Sequence, residues 1–448
     1  MFLRLVMAAP GGLAVLLAAS AALAQPVAGG TPADPPEAIG RVSSLAGTVT
    51  YRDVASSKAR PAELNYPLTS GNAVSTEARS HAAIDIGAGR FYLDGASDVE
   101  VGALGEGTAT LTLKSGALIL HVMPGGQGQV FTVVTARGTA RMDQPGYYEI
   151  VAGDDRHATS LAALEGGAQL QTADGERVVG PGRRVSLAPG GGDPVMDAAA
   201  EDDLVKRVAG EAADMGENAA EAPKYVSTQA TGYQDLDRYG LWEHTEEYGP
   251  VWEPQVMSDW APYRQGHWAD VKPWGATWID NAPWGFTPFH YGRWIEIHER
   301  WAWVPGNAAM DPVYAPAVVS FFGTPGSESR NVSWVPLGPE EPYLPPYPVT
   351  INYVRVVNAP SMPQIVNVTN VNNVSQVTNV VSEVRHQPAL IIDRLVNNHA
   401  ATDGGGSLVF GGGSTVGLGA PSAFQPVRPA VNAFSAPLPA LITMPGTR

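Results

Sequence analysis

The tryptophans of this 448-residue chain constrain its fold more than any other feature, because all 11 of them lie between Trp242 and Trp334. Within that segment a Gly-x-Trp triplet occurs three times at a spacing of 26 residues, and a second Trp follows each triplet after nine or ten residues. A fixed period of this kind indicates a repeated supersecondary unit. The triplets are Gly240-Leu241-Trp242, Gly266-His267-Trp268 and Gly292-Arg293-Trp294, and the following tryptophans are Trp252, Trp278 and Trp303.

Each repeat predicts a β-hairpin with one aromatic residue on each arm. A single hairpin is marginally stable in water, and a cross-strand aromatic pair adds only about 0.5–1.5 kcal/mol beyond burial. We therefore expect the three hairpins to stack and bury a shared face, with a fourth, degenerate copy at Ser333-Trp334-Val335-Pro336. The turns between the paired tryptophans contain Tyr248-Gly249-Pro250, Lys272-Pro273-Trp274-Gly275 and Glu299-Arg300.

The remaining sequence predicts a mainly β protein. The chain contains 50 Gly and 38 Pro, which argues against a long helical bundle. Residues 39–190 alternate short apolar runs with glycine turns, the pattern of an all-β domain. Residues 196–222 are rich in Ala and acidic residues, and predict an acidic helical linker with Leu204, Val208, Ala212 and Met215 at helical spacing. The Pro-, Asn-, Val- and Gly-rich residues 340–448 predict an extended or disordered tail.

Residues 1–24 have the form of a secretory signal peptide. Arg4 provides a positive charge, an apolar stretch follows, and Ala22-Leu23-Ala24 offers a cleavage site before Gln25. Pro10-Gly11-Gly12 keeps the apolar run well below the ~20 residues that span a bilayer. We expect cleavage after Ala24, a linker over 25–38, export to the periplasm or beyond, and no integral membrane segment in the mature chain. Because the chain has no Cys, its stability must come from packing.

Two interpretations of the tryptophans stay open. Residues two apart on a strand share a face, so each repeat places Trp beside polar side chains, which would suit a sugar- or peptide-binding strip. Alternatively, the rings form the core between hairpins, since Trp is on average a highly buried residue. The candidate strip consists of Trp242, His244, Trp268, Asp270, Trp294, Glu296 and His298.

Several functional classes lack support in the sequence. A net charge of −16 argues against nucleic-acid binding, which usually requires a basic face. Without Cys there are no thiolate metal ligands, and no phosphate-binding loop, Gly-x-Ser-x-Gly elbow or His-Glu-x-x-His motif occurs. We predict no catalytic, cofactor or metal site. Asp85, Asp94 and Asp98 lack the spacing of a calcium loop, and we interpret them as surface positions on strands.

The first β region resembles the periplasmic FecR domain. That resemblance implies an all-β fold and places the domain at 39–190. FecR regulators carry signals from an outer-membrane receptor to a cytoplasmic sigma factor, using a cytoplasmic domain and a membrane helix that this sequence does not show before its predicted cleavage site. The matching residues include Gly47-Thr48-Val49, Pro67-Leu68-Thr69-Ser70-Gly71, Phe91-Tyr92-Leu93-Asp94, Leu164-Glu165-Gly166-Gly167 and Gly180-Pro181-Gly182.

Residues 233–339 resemble a Trp-rich domain of unknown function found in exported bacterial proteins. The specific matches are His290-Tyr291-Gly292-Arg293-Trp294 and Trp301-Ala302-Trp303-Val304-Pro305-Gly306. The resemblance implies an exported protein of the periplasm or envelope. We therefore predict a non-enzymatic binding or scaffold protein that engages an envelope protein or a polysaccharide such as peptidoglycan. The alternatives are a FecR-type signal-sensing accessory protein and, less favoured, a carbohydrate-active enzyme.

Overall fold

The structure, a computed structural model, describes residues 34–53, 58–126, 128–215, 221–322, 333–362, 407–410 and 414–417. The chain divides into two compact units, Met1–Pro32 and Ala33–Arg448, and all described residues belong to the second. The signal peptide and most of the linker predicted at 25–38 lie outside the described residues. The architecture is mainly β, which confirms the predicted fold class.

Two nine-stranded sheets form a sandwich in the first half of the chain. Sheet A has the order β18-β17-β14-β13-β10-β7-β6-β1-β4 and sheet B the order β16-β15-β12-β11-β9-β8-β5-β2-β3. The strands of sheet A are β1 (Gly40–Ala46), β4 (Pro67–Leu68), β6 (His81–Ile86), β7 (Gly89–Leu93), β10 (Ala117–Val122), β13 (Gly146–Val151), β14 (Thr159–Ala163), β17 (Arg183–Leu187) and β18 (Val195–Ala198). Those of sheet B are β2 (Val49–Arg52), β3 (Arg60–Pro61), β5 (Ala73–Thr76), β8 (Asp98–Gly105), β9 (Thr108–Ser115), β11 (Val130–Val134), β12 (Thr139–Met142), β15 (Ala168–Thr172) and β16 (Gly175–Val179).

Alternation along each strand builds the core between the sheets. In β6, Ile84 and Ile86 point inward while Asp85 points to the outer face of sheet A. The rings of Phe91 in sheet A and Phe131 in sheet B meet at 5.9 Å across the interior. The sandwich thus follows the period-two pattern of the sequence.

Helix α1 (Asp203–Met215) packs on the outer face of sheet A. Leu204 and Val208 contact a buried cluster that contains Tyr92 and Ile119. The predicted helix is therefore present, but it is shorter than 196–222, because residues 195–198 pair with β17 as strand β18.

The Trp-rich segment, residues 233–339, consists of paired strands. Strands β19 to β24 form the three predicted hairpins, and β25 pairs with β26 as a fourth. The first and third hairpins join in one sheet of order β19-β20-β24-β23, whereas β21 and β22 form a separate two-stranded sheet. The elements are α2 (Leu236–Tyr239), β19 (Gly240–Thr245), β20 (Gly249–Pro254), β21 (Gly266–Val271), β22 (Gly275–Asp280), α3 (Thr287–His290), β23 (Arg293–Ile297), β24 (Arg300–Val304), β25 (Val319–Phe322) and β26 (Ser333–Pro336).

The tryptophans of the four-stranded sheet stand in one row. Trp242 lies opposite Trp252, Trp252 opposite Trp303, and Trp303 opposite Trp294. In the separate hairpin, Trp268 lies opposite Trp278 in the same way. The equal spacing of the repeats thus produces equivalent cross-strand Trp pairs.

The glycine of each repeat is required by the second tryptophan of the same hairpin. A Cβ atom at Gly266 would lie 2.6 Å from Cζ2 of Trp278, and one at Gly292 would lie 2.5 Å from Nε1 of Trp303. Gly240 faces Trp252 in the same manner. The second indole of every hairpin therefore occupies the space that a side chain at the glycine would fill.

Part of the predicted tail folds against the Trp-rich segment. Helix α4 (Ile351–Asn358) begins after Thr350, whose side chain accepts a hydrogen bond from the N–H of Tyr353, an N-cap interaction. Asn358 accepts a hydrogen bond from Arg293 of β23 at 2.8 Å. Further along, β27 (Ser407–Phe410) pairs with β28 (Ser414–Gly417), and the residues between 362 and 407 lie outside the described part.

We expect Gly266→Ala to lower the free energy of unfolding by about 1–3 kcal/mol, because the added methyl group overpacks the site against Trp278. Chemical denaturation followed by Trp fluorescence measures this change. Gly180→Ala is the control, since a methyl group added at Gly180 would meet nothing within 4 Å, and its effect should stay within about 0.5 kcal/mol. Equal effects of the two substitutions would contradict the packing role of the repeat glycine.

Candidate functional site

The structure places two tryptophans of the candidate strip in the core. Trp294 is 0% exposed and Trp268 is 7% exposed. Trp268 is enclosed by Trp278, Phe321 and Trp334, whose ring centroids lie 5.2–5.5 Å away. The interpretation of these rings as a stacking surface is therefore wrong for Trp268 and Trp294, because no ligand can reach their faces.

The polar members of the strip lie apart from those rings. His244, Asp270, Glu296 and His298 are all exposed, near the hairpin ends of their strands. Because β21 and β22 form their own sheet, Asp270 does not continue the row of polar residues from the other two hairpins. The strip residues do not form one continuous surface.

The indole N–H groups of the Trp row are used internally. Trp252 donates to the carbonyl of Leu236 at 2.9 Å, and Trp303 donates to that of Tyr291 at 2.9 Å. Trp294 donates to the carbonyl of Pro288 at 2.8 Å. Trp242, at the edge of the sheet, is half-buried and donates to Oδ1 of Asp237 at 2.8 Å. Buried tryptophans need such partners, and here the short helices α2 and α3 and the residue after α3 provide them.

Two arginines and two aspartates form a buried charge cluster where the sandwich meets the Trp-rich segment. The charge cluster consists of Arg41, Asp85, Arg90 and Asp235, each at most 3% exposed. Arg90 binds Asp85 through two bonds of 2.7 and 2.9 Å, and it donates to Asp235 at 2.9 Å. Arg41 donates to Asp85 at 3.0 and 3.1 Å and also contacts Asp235. Two positive and two negative charges thus neutralise one another out of water.

The charge cluster joins elements that are far apart in the sequence. Asp85 and Arg90 lie opposite each other on β6 and β7, and Arg41 lies opposite Asp85 on β1. Asp235 comes from the turn before α2, at the start of the Trp-rich segment. The expectation that Asp85 is a surface position is therefore wrong, because the Trp-rich segment covers this face of sheet A.

Asn65 adds a neutral connection next to the charges. It accepts a hydrogen bond from Arg41 at 3.0 Å and donates to the carbonyls of Asp280 and Ala282 at 2.9 and 2.7 Å. The guanidinium of Arg41 also lies 5.7 Å from the ring centre of Phe286. These contacts tie the end of the second hairpin and the residues that follow it to the sandwich.

Burial and charge act in opposite directions on Asp85. Burial alone would raise the pKa of Asp85, but the neighbouring charges of Arg90 and Arg41 outweigh it and lower the pKa to about 2. Its oxygens are occupied by these two arginines, which leaves no role for Asp85 as a calcium ligand. In the part of the chain that the structure describes, no group of three or more His, Asp or Glu could hold a metal ion.

Two other buried carboxyl groups have raised pKa values. Burial raises the pKa of Asp280 to about 7, although Ala282 N–H and the Trp278 indole donate to it. Burial and a hydrogen bond with Asp202 raise the pKa of Glu149 to about 7. Asp202 also accepts a hydrogen bond from the N–H of Val205 in α1 at 3.0 Å. Glu149 therefore connects sheet A to the start of that helix.

A small cavity lies beside His290 and Arg293 and has a volume of about 30 Å³. This volume can hold ordered water and is far below the roughly 300–1,000 Å³ of typical ligand pockets. His290 is fully buried and binds the carbonyl of Ala315 at 2.8 Å. Burial lowers the pKa of His290 to about 3, which keeps the imidazole neutral.

The free edge of β19 is the most accessible part of the Trp row. β19 ends its sheet, and Leu241 on it is 65% exposed. The half-buried Trp242 packs against Tyr225 at 4.8 Å between ring centres, and His244 is exposed. Of the sequence-predicted strip, Trp242 and His244 therefore share an accessible element. The sequence could not distinguish an edge strand from an inner one, and the apolar Leu241 beside Trp242 was the only signal it offered.

Comparison with known proteins identifies one segment of the chain. The pattern of a family described as "Family of unknown function (DUF6600)" matches residues 233–341, which confirms that the Trp-rich segment resembles a family of unknown function. No curated protein matches the chain. The resemblance of residues 39–190 to the FecR domain stays a prediction.

Two crystal structures of a candidate anti-sigma factor from Parabacteroides distasonis ATCC 8503 are similar to part of the chain. Each has 9% identity and a TM-score of 0.28. The first match covers 30% of this chain and 64% of that protein, and the second covers 32% and 73%. The chain thus spans just under two thirds of the first of these structures, and a TM-score of this size does not define its fold.

We expect Asp235→Asn to lower the free energy of unfolding by about 3–5 kcal/mol, because it leaves an excess positive charge buried at Arg41 and Arg90. Asp53→Asn serves as the control, since Asp53 pairs at 2.9 Å with a half-exposed Arg60 and such pairs are worth about 0–1 kcal/mol. Chemical denaturation measures both. A loss below about 1 kcal/mol for Asp235→Asn would show that the charge cluster does not hold the two parts together.

Asp280 should make stability depend on pH. Its folded pKa of about 7 lies above the ordinary value of 3.8, so the folded state holds the proton more tightly and loses stability as pH rises from about 4 to about 7. His290 acts in the opposite direction, because its pKa is lowered. We therefore compare the wild type with Asp280→Asn. The variant should gain up to about 1.4 kcal/mol per pH unit over the wild type in this window and no more above it.

The exposed Asp270 of the same hairpin provides the matched control for this profile. Asp270→Asn removes an exposed carboxyl group from the same hairpin, so a difference between the two variants isolates the effect of burying Asp280. A profile for Asp280→Asn that runs parallel to the wild type would mean that Asp280 stays ionised in the fold.

Proposed function

We propose that this protein is an exported, non-enzymatic binding or scaffold protein of the bacterial cell envelope, acting in the periplasm. The observation that carries the proposal is the buried charge cluster, which joins the sandwich to the Trp-rich segment. The apolar side chains of both parts also belong to one continuous buried cluster. A chain built in this way presents its surfaces in a fixed arrangement, as a scaffold requires.

The charged, imidazole and aromatic side chains that could serve catalysis are engaged in internal contacts, which supports a binding role over catalysis. Arg41, Arg90, Asp85 and Asp235 neutralise one another, and the neutral His290 is enclosed. The rings that would stack on a sugar are mostly occupied by packing with other rings. These observations favour a protein partner over a glycan and disfavour the carbohydrate-active enzyme.

The proposed location rests on the sequence of the first 24 residues. Among the residues that the structure describes, no helix has the length and apolar character needed to cross a bilayer. We infer that the signal peptide is removed after Ala24 and that the mature chain begins at Gln25.

A FecR-type signal-sensing accessory protein is the second proposal. The sequence motifs that carry this resemblance include turn glycines, and the structure places Gly47, Gly166 and Gly182 in left-handed backbone conformations with φ between 72° and 78°. Such positions favour glycine. A β-sandwich with these turns is compatible with a sensing domain.

The decisive experiment captures partners of the mature protein from cross-linked envelope extracts and tests the same preparation on a glycan array. We expect a defined protein partner, a silent array, and an N-terminal sequence that begins at Gln25. The same protein denatured and immobilised is the control for nonspecific capture. Hydrolysis of any arrayed glycan would overturn the non-enzymatic proposal, and a cytoplasmic chain that retains residue 1 would overturn the proposed location.

A further inference from the structure

The edge of β19 presents unpaired backbone groups. The N–H of Gln255 donates to the carbonyl of Tyr239 at 2.8 Å, so Tyr239 faces the neighbouring strand β20. Backbone direction alternates along an antiparallel strand. The N–H and C=O groups of Trp242 and His244 therefore point away from β20, and no described strand pairs with them.

Apolar side chains flank these backbone groups on both faces of the strand. Leu241 is 65% exposed on one face. On the other face the half-buried ring of Trp242 is held by Tyr225 and by its hydrogen bond to Asp237. Natural edge strands usually avoid a combination of open backbone and exposed apolar side chains, because it favours pairing with another strand.

The charged side chains on β19 and in the turn that follows it are all acidic, whereas the exposed Arg238 lies just before the strand. Glu243 lies on β19 itself, and Glu246 and Glu247 lie in the turn that follows; all three are exposed. Within the described part of the chain, none of them has an ion pair. Glu253 on β20 is already paired with Arg300. The edge therefore has unneutralised acidic groups at one end and an apolar contact at the other.

We propose that β19 is the docking site of a protein partner, which adds to this edge of the sheet an extended segment with an apolar and a basic residue two positions apart on one face. This inference rests on the proposed binding function and names its site. Backbone hydrogen bonds to Trp242 and His244 provide affinity, as in other cases of strand addition. Contacts of the partner's apolar residues with Leu241, and of its Lys or Arg residues with Glu243, provide selectivity.

The same charges disfavour a second copy of this chain as the occupant. If two β19 edges paired, the acidic residues of one copy would approach those of the other, and like charges opposite each other are destabilising. The net charge of −16 per chain adds repulsion. A basic segment has the complementary charge.

The test uses the mature protein and two labelled octapeptides with the repeats Val-Thr-Lys-Thr and Val-Thr-Glu-Thr, in which Val alternates with Lys or with Glu along one face of the strand. We expect the Val/Lys peptide to bind, measured by fluorescence anisotropy at low salt, and to bind less tightly as salt screens the charges. The Val/Glu peptide should bind at least about tenfold more weakly. Hydrogen exchange should show new protection at the amides of Trp242 and His244.

Two variants test the site. His244→Pro removes one outward N–H that the sheet itself does not use, and should weaken the binding of the Val/Lys peptide at least about tenfold. Met196→Pro is the matched control, since Met196 occupies the same outward position on β18, the free edge of sheet A. The triple change Glu243→Lys, Glu246→Lys and Glu247→Lys leaves the backbone unaltered and should reverse the preference between the two peptides. Thermal unfolding verifies that each variant is folded.

Three results would overturn the proposal. In the first, Met196→Pro weakens peptide binding as much as His244→Pro does. In the second, the two peptides bind equally well. In the third, neither peptide binds, and the protein forms a dimer that His244→Pro abolishes. If the captured envelope partner is retained equally by wild type and His244→Pro, the binding function stands and the β19 site fails. If no partner is captured and the peptide still binds at β19, the proposed function fails while the edge remains a strand-binding site.

Discussion

The buried charge cluster is the interaction on which the arrangement of the molecule depends. Removing two arginines and two aspartates from water is costly, and only complete mutual pairing offsets that cost. Arg41, Asp85 and Arg90 all belong to the sandwich, so their pairing is completed by Asp235 from the Trp-rich segment. The position of Asp235 is thereby fixed relative to sheet A, and the loops and hairpins that follow it start from that fixed point.

The aromatic repeat stabilises a chain that has no Cys and therefore no disulfides. Each of the three repeat hairpins pairs two tryptophans across its strands and leaves space for the second one at a glycine. The indole N–H groups of the row are bound by carbonyls in or next to the short helices α2 and α3 and by Asp237. These bonds fix the positions of the two helices against the sheet. Large rings thus act both as the core and as the connection between strands and loops.

Because these rings form the core, most of them are not available for recognition. The faces of Trp268 and Trp294 are covered, so recognition cannot depend on stacking against them. The hairpin ends and the edge of β19 stay accessible, and at this edge backbone groups, Leu241 and glutamates without an ion pair in the described part of the chain lie together. Recognition there would depend on strand geometry and charge, which suits a protein segment better than a sugar.

The sequence by itself determined the local elements. Period-two alternation predicted the strands of the sandwich, the 26-residue period predicted the hairpins, and helical spacing predicted α1. Tertiary structure alone decided which faces are covered. Alternation placed Asp85 on the outer face of β6, but only the docking of the Trp-rich segment shows that this face is dry. Equally, the repeat identified Trp268 and Trp294 without showing that other hairpins enclose them, and nothing in the tail composition revealed α4. The physical reason is that periodicity reports how a strand is divided into two faces, whereas burial depends on partners that are distant in the sequence.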